Sequence, residues 1–213
     1  MISVLIPTFN RPKFIRGAIE AILSQSYQDF EIIVKDGGDS IEHLLPEDSR
    51  IKYIHNKDRG ITDAMNQAMR EATGDIFVWA NDDDRISPDT FQFVVDNIGD
   101  SQWLFGQIRF TSGQRYGGTG YSFNELLKNN IIPQPAVYWT KKAYEIVGEM
   151  DEENDLSSDY EYWLRLGSKF EPKVVNRIMA EYTIHSDQIT SKTPQLQQSQ
   201  AQRIREKYEN ITR

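Results

Sequence analysis

Asp75-Ile76-Phe77-Val78-Trp79-Ala80-Asn81-Asp82-Asp83-Asp84 decides the reading of this chain, because an apolar run of strand length ends there in three consecutive carboxylates. Residues 75–80 have the aromatic and β-branched content of a buried strand. Adjacent acids beyond such a strand repel one another unless a cation compensates them. A divalent metal site and a solvated turn that caps the next helix are therefore the two readings of the run. Ser87-Pro88 supplies the N-cap and first residue of that next helix.

Upstream, Ile2-Ser3-Val4-Leu5-Ile6 is a second buried-type strand, broken by Pro7. Pro12 opens a helix with Phe14, Ile15, Ala18, Ile19, Ile22 and Leu23 at helical spacing. Residues 30–35 make a strand ending at Asp36-Gly37-Gly38, and residues 51–54 a short one. A helix over 61–72 places Ile61, Met65, Ala68, Met69 and Ala72 on one face, with Gly74 as its C-cap. Strand and helix thus alternate over the first 100 residues. This predicts an α/β fold, a Rossmann-like, mostly parallel sheet flanked by helices, with ligands at the carboxyl ends of the strands. Asp36 and the acidic run then share one mouth. A carboxylate there can accept from a base imide N–H or a ribose hydroxyl while the run holds a metal diphosphate; a turn needing positive φ is the other reading of Asp36-Gly37-Gly38.

Downstream the spacing predicts a strand over 103–111, a Gly-rich loop over 112–121, a short helix over 122–130 and a strand over 136–140. Helices over 142–147 and 159–168, a strand over 174–184 and a polar helix over 195–213 follow. Ser158-Asp159-Tyr160-Glu161 reads as a capping box, which sets Asp159 in a first helical turn whose positive end favours its ionised form. Trp139, Tyr162 and Trp163 can either stack on a sugar or pack in the core, and the spacing of Trp163 and Leu166 suits the core.

The formal net charge of −8 argues against broad electrostatic binding to nucleic acid or to an anionic membrane, while leaving room for local basic patches. No apolar run approaches the ~18 residues of a membrane span. The first strand begins at once, without a secretory n-region, so a cytoplasmic location is expected. The absence of cysteine excludes thiolate catalysis and cysteine-bound zinc. Oxygen ligands and a few histidines remain, and they suit Mn²⁺ or Mg²⁺. No Gly-x-Gly-x-x-Gly follows the first strand, which argues against a dinucleotide oxidoreductase. Asn210-Ile211-Thr212-Arg213 carries no helix stop signal, so further domains of a longer polypeptide are expected.

A series of motifs carries a family resemblance: Ser3-Val4-Leu5-Ile6-Pro7-Thr8-Phe9-Asn10-Arg11-Pro12, Glu31-Ile32-Ile33-Val34-Lys35-Asp36-Gly37-Gly38 and Gly60-Ile61-Thr62-Asp63-Ala64-Met65-Asn66. Ala72-Thr73-Gly74-Asp75, Asn81-Asp82-Asp83-Asp84 with Pro88-Asp89, Gln134-Pro135-Ala136-Val137, Val147-Gly148 and Ser158-Asp159-Tyr160-Glu161-Tyr162-Trp163-Leu164-Arg165-Leu166 follow in order. In these stretches the chain resembles family 2 glycosyltransferases with the GT-A fold, up to about residue 193. A narrower likeness is to the N-terminal domain of multi-domain chlorovirus glycosyltransferases, which would put the chain in a host cytoplasm.

The resemblance implies one catalytic domain over 1–213: a nucleotide-sugar-binding half (1–100), an acceptor and catalytic half (101–193) and a C-terminal helix (194–213). It implies a nucleotide-sugar donor, UDP-glucose-like first and rhamnosyl next, a glycan or glycoprotein acceptor, and a Mn²⁺ or Mg²⁺ cofactor. Pro7, Thr8, Asn10, Arg11, Asp36, Gly37, Arg59, Asp63, Asn81 and Asp82 would line the nucleotide site. The family's Asp-x-Asp motif falls on Asn81 to Asp83, so Asp83 is the first metal ligand, with Asp84 and His185 as candidates beside it. Asn81 in the leading place departs from that motif and leaves the roles of Asp82 and Asp84 open. Asp159 would be the base of an inverting transfer, with Gln134 and Trp163 near acceptor or sugar. Ser191-Lys192-Thr193 reads as a lid over the diphosphate or as a polar linker. A sugar nucleotidyltransferase should instead show a basic Gly-rich loop after the first strand, and a non-catalytic nucleotide-sugar-binding module should lack a base at 159.

Overall fold

Alternate side chains of the buried strands sort to opposite faces of one sheet, and each face becomes a core. Val4 and Ile6, Ile32 and Val34, and Ile76 and Val78 join one apolar cluster with Ile15, Ile19, Phe91 and Val94. Leu5, Ile33, Phe77 and Trp79 join the other, with Met65, Met69, Trp139 and Trp163. The computed structural model describes residues 1–186, 188 and 192–211, the last two by backbone alone. Ser191 of the suggested lid lies outside the described residues.

The chain runs β1 (Ile2–Thr8), α1 (Ile15–Leu23), β2 (Phe30–Asp36), β3 (Ile51–His55), α2 (Ile61–Glu71), β4 (Ile76–Trp79), β5 (Arg85–Ile86) and α3 (Thr90–Ile98). There follow β6 (Trp103–Phe110), β7 (Arg115–Gly117), α4 (Phe123–Lys128), β8 (Val137–Thr140), α5 (Lys141–Val147), α6 (Ser158–Lys169), β9 (Lys173–Tyr182) and α7 (Pro194–Ile211). The strands form one sheet in the order β3-β2-β1-β4-β8-β6-β9-β5, with β7 on β6. The first four strands are mutually parallel and β6 is parallel to β9. β8 runs antiparallel between β4 and β6, so the sheet is mixed. No helix among the described residues is long and apolar enough to cross a membrane.

Several local expectations change. Only a 3₁₀ turn, Glu42–Leu44, separates β2 from β3, so the strand and helix alternation breaks there. α1 starts at Ile15 after Phe14, not at Pro12. Ser87 does not cap α3, because the helix begins only at Thr90 with Asp89, at φ 57°, at the cap; the Ser87 N–H donates to the Met179 carbonyl of β9. Gly74 is not a C-cap either, as α2 ends at Ala72 with extended backbone. Its role is close approach: a Cβ there would press on Ser3 and the Met1 carbonyl, and its N–H donates to Ser3 Oγ at 2.9 Å. The capping box at 158–161 does not form. Ser157 is the N-cap, Ser158 Oγ is buried without a partner, and Glu161 is drawn to Arg165 and Tyr208.

Candidate functional site

The carboxyl ends of β2, β1 and β4 lie side by side. Thr8, last in β1, pairs in register with Asp36, last in β2. β4 ends at Trp79, and the acidic run begins three residues later. A cavity of about 750 Å³ opens at this edge, lined among others by Thr8, Phe9, Arg11, Arg59, Asp82 and Asp155. A second, of about 600 Å³, adjoins it across Phe9, Asn10 and Asp58 and is bounded by Gly37, Gly38 and His55.

Arg11 sits among the acids. Its Nη1 lies 2.9 Å from Asp82 Oδ1, its Nη2 pairs with Asp83 Oδ2, and Nη2 is 3.2 Å from His185 Nε2. His185 Nε2 is in turn 2.9 Å from Asp83 Oδ2, and the imidazole stacks on Phe14 with centroids 4.5 Å apart. Thr8 Oγ1 donates to Asp82 Oδ2 at 2.7 Å. Burial raises the Asp82 carboxyl to about 6, helped by the Asp83 charge and opposed by Arg11 and Thr8. Burial and the same neighbouring charge raise Asp84 to about 7. The Asp84 oxygens accept from Asn81 Nδ2 at 2.7 Å and from the Thr183 N–H at 3.2 Å, so this acid ties the turn to the end of β9.

Two buried polar atoms here lack an aligned partner, Arg11 Nε and Asp82 Oδ1. The Asp82 oxygen, with the Asp83 carboxylate and the His185 imidazole, fits a site that a hard divalent cation would complete, whereas the Arg11 N–H suits an anionic oxygen such as a phosphate's. Among the described residues no group of three or more histidine, aspartate or glutamate side chains stands arranged around a metal position. The Arg11 guanidinium lies between those that converge.

Asp36 is completely buried and bound to its own loop. It accepts from the Gly38 N–H at 2.9 Å, the Tyr53 hydroxyl at 2.7 Å and the Ile41 N–H at 3.3 Å. Asn10, at φ 53°, accepts the Asp39 N–H at 2.8 Å and so joins this loop to the one after β1. Arg59 lies at the rim, paired with Asp63 and with Glu152 at 2.7 Å. The Arg59 contact holds the Asp63 carboxyl below its usual range. Pro7 is buried at the end of β1.

The residues expected around the acceptor separate. Gln134 Oε1 accepts from Asn81 Nδ2 at 2.9 Å and its Nε2 donates to the Trp79 carbonyl at 2.8 Å, so it braces the acidic run. Trp163 has no exposed surface, stacked on Trp103 at 6.2 Å, and cannot face a sugar; Trp139 and Tyr162 share that core. Asp159 stands half-buried in the first turn of α6, outside the cavity lining, and accepts from Asn130 Nδ2 at 3.1 Å. Loss of solvent raises its carboxyl above the ordinary range, against lowering by the Tyr160 N–H and Asn130. Burial therefore outweighs the helix-end field that the sequence alone suggests.

Three residues were missed. Phe9, 60% exposed, presents an aromatic face to both cavities. Asp58 borders both and is held at 2.9 Å by the buried Lys35. Asp155 Oδ1 accepts the Thr62 N–H at 2.9 Å, capping α2 from a distant segment. An aromatic set between polar residues in Thr8-Phe9-Asn10-Arg11 is the one signal the sequence offered.

Comparison with known proteins agrees with this architecture. The family described as Glycosyl transferase family 2 matches residues 3–148. An uncharacterized glycosyltransferase of Rickettsia conorii is 30% identical over 139 residues, covering 62% of this chain and 23% of the relative. A PGL/p-HBAD biosynthesis glycosyltransferase of Mycobacterium bovis is 27% identical over 190 residues, covering 84% of this chain and 73% of the relative. Among solved structures, S. aureus TarS 1-349 in complex with UDP-GlcNAc superposes with a TM-score of 0.70 at 17% identity, covering 95% of this chain and 65% of that one. The mannosyltransferase PcManGT of Pyrobaculum calidifontis, in complex with GDP-Man and Mn²⁺, gives 0.65 at 17% identity over 87% of this chain and 57% of that one. The chain thus spans under a quarter of the Rickettsia relative and under two thirds of each of these structures. The fold is GT-A.

Proposed function

The chain belongs to glycosyl transferase family 2, and from that premise we propose that it moves a sugar from a nucleotide-sugar donor to a hydroxyl of a glycan acceptor. The observation that carries this reading is that Thr8, Arg11 and Asp82 line one cavity at the ends of three neighbouring parallel strands, with Asp83 paired to Arg11 and the buried Asp36 in register with Thr8. A UDP-sugar is the favoured donor, with UDP-glucose-like donors first and a rhamnosyl donor second. The UDP-GlcNAc complex of the TarS neighbour supports the uridine class. In this reading residues 1–100 hold the donor and 101–193 the acceptor and the base, and the C-terminal helix Pro194–Ile211 follows.

Phe9 would stack on the base, and Asp36 would fix the loop that frames it. Asp83, with His185 and Asp82, would hold Mn²⁺ or Mg²⁺, and the Mn²⁺ complex of PcManGT supports such a requirement. When bound, the cation offsets charge on the departing diphosphate. Arg11 would turn from the acids to a phosphate oxygen. Asp159 would take the acceptor hydroxyl's proton as that oxygen bonds to the anomeric carbon, while the bond from that carbon to the diphosphate breaks and its electron pair leaves with the nucleotide. Inversion follows from that displacement. A carboxylate whose proton affinity is raised by burial is the stronger base for the task.

Calorimetric titration of UDP, dTDP, GDP and their common sugar conjugates, each with and without Mn²⁺, tests the reading. Metal-dependent binding of one nucleotide class is expected, and its loss in Asp83→Ala. No binding by any of them would refute a donor site at this edge.

A further inference from the structure

The segment 130–134 touches both ends of the proposed reaction. At one end Asn130 Nδ2 donates to Asp159 Oδ2 at 3.1 Å; at the other Gln134 holds Asn81 beside the acidic run at 2.9 Å. Asn130 is also held from two further sides. Its Oδ1 accepts the Ile132 N–H at 3.3 Å, and its carbonyl accepts the Tyr116 hydroxyl of β7 at 3.1 Å. The first of these contacts gives the amide its sense. With Oδ1 committed to a backbone donor, the NH₂ end is the one that faces the carboxylate. Gly117 lets β7 close over this segment: at φ 84° it lies where a Cβ would overlap the Pro133 ring.

Resting on the reading of Asp159 as base, we infer that Asn130 is a positioning residue for it, donating to Oδ2 so that the carboxylate keeps one orientation and its other oxygen is left for the acceptor's hydroxyl proton. A carboxylate at the start of a helix has two rotatable bonds and two equivalent oxygens, and only one combination presents a given oxygen to a given hydroxyl. A donor fixed from outside the helix removes that freedom, which is the part of proton transfer that geometry controls. The same bond favours the charged form.

The charged and titratable groups packed around Asp159 do not supply this function. On α6 itself Glu161 is engaged by Arg165 at 2.9 Å, and Tyr160 donates to the Leu126 carbonyl at 2.8 Å. On α4, Glu125 and Lys128 pair with one another at 2.7 Å. From α7, Arg205 and Glu209 act on Tyr160. From β7, Tyr116 reaches the Asn130 carbonyl and not the carboxylate. Asn130 is the side chain whose hydrogen bond bears on the Asp159 carboxyl.

The test is a ¹³C-carboxyl NMR titration of the full chain, with the Asp159 resonance assigned by its loss in Asp159→Asn. In Asn130→Ala the Asp159 midpoint should rise by ~0.5–1 pH unit, and Asn130→Ser, which keeps a donor, should restore part of the shift. Near-UV circular dichroism of both variants must match the parent, and if Asn130→Ala does not fold, Asn130→Ser against the parent decides with a smaller rise. In parallel, UDP release from UDP-glucose and UDP-GlcNAc is followed against pH. Asn130→Ala should lower kcat by roughly 3–30-fold with donor KM unchanged. An unmoved Asp159 midpoint in a folded Asn130 variant overturns the inference even where Asp159→Asn is inactive. Full turnover by Asp159→Asn instead sinks the base reading, and with it the role assigned to Asn130, so the two failures are distinguishable.

Discussion

Removing Arg11 should unbalance the acidic run, and a divalent cation should restore it. In the structure one guanidinium compensates Asp82 and Asp83, whose side chains are 1% and 5% exposed. Deleting one partner of a fully buried ion pair costs about 3–5 kcal/mol. Arg11 is 24% exposed, and Asp82, already raised to about 6, can take up a proton, so the loss falls at or below the lower end of that range. Arg11→Ala should therefore lose roughly 2–3 kcal/mol at neutral pH, which for a chain of this size lowers Tm by about 4–12 °C. Arg11→Lys should fall between, because one ammonium cannot bridge two carboxylates as a planar fork does. With the guanidinium gone, Mn²⁺ no longer competes for the acids. At a hundred times its Kd it should return about 2.7 kcal/mol, more than the parent gains without nucleotide. Adding UDP should narrow that difference by drawing the parent's Arg11 to the phosphates. Scanning calorimetry at pH 7, with and without Mn²⁺ and UDP, reads all of these. An unchanged Tm in Arg11→Ala, or equal Mn²⁺ gains in parent and variant, would refute the argument that the guanidinium stands in for a metal charge.

Asp82 and Asp84, raised to about 6 and about 7, hold protons in the folded chain that the unfolded chain releases near the ordinary carboxyl value. Stability without metal should therefore fall as pH rises from about 4 to about 7, by an amount on the order of a few kcal/mol; urea denaturation midpoints that rise over that range would contradict it. Asp159→Asn should cut transfer by ~10²-fold or more while donor affinity by calorimetry stays near the parent's, and parent-like turnover would remove Asp159 as base. Gly37→Ala should break the pair of Asp58 with the buried Lys35, since a Cβ at 37 overlaps the Asp58 carboxylate. A loss of roughly 3 kcal/mol is expected, and a variant as stable as the parent in thermal melts would mean that the loop yields at little cost.

What could be read from the chain alone follows from how local each signal is. β1, β2 and β4 are runs rich in apolar residues, and such runs announce a sheet buried on both faces without help from tertiary structure, although Pro7, read as the break of the first strand, pairs with Lys35 inside β1, which runs on to Thr8. β5 and β7 are two and three residues long, too short to carry a period, and they exist because β9 and β6 offer them edges. The capping box failed for a related reason. Its Glu161 had a cation four residues ahead and a tyrosine on α7 to satisfy it, and neither is visible in a four-residue motif.

The site divides along the same line. That an acid ends β2 and a run of acids follows β4 is local information, and topology then brings the two to one edge. Which acid meets which partner is not local. Arg11 reaches Asp83 across 72 residues and His185 reaches it across 102, so the contacts that decide charge balance are made by the fold and not by spacing. Asp84 shows the consequence most directly. In sequence it is indistinguishable from Asp83, yet the end of β9 supplies the Thr183 N–H that turns it into a structural tie. β9 thus sorts the run twice, placing the Thr183 N–H on Asp84 one residue beyond its end and delivering His185 to Asp83 three residues beyond it. A substitution that shifted the β6–β9 register by one residue would misplace both contacts at once, although it altered none of the residues in the site.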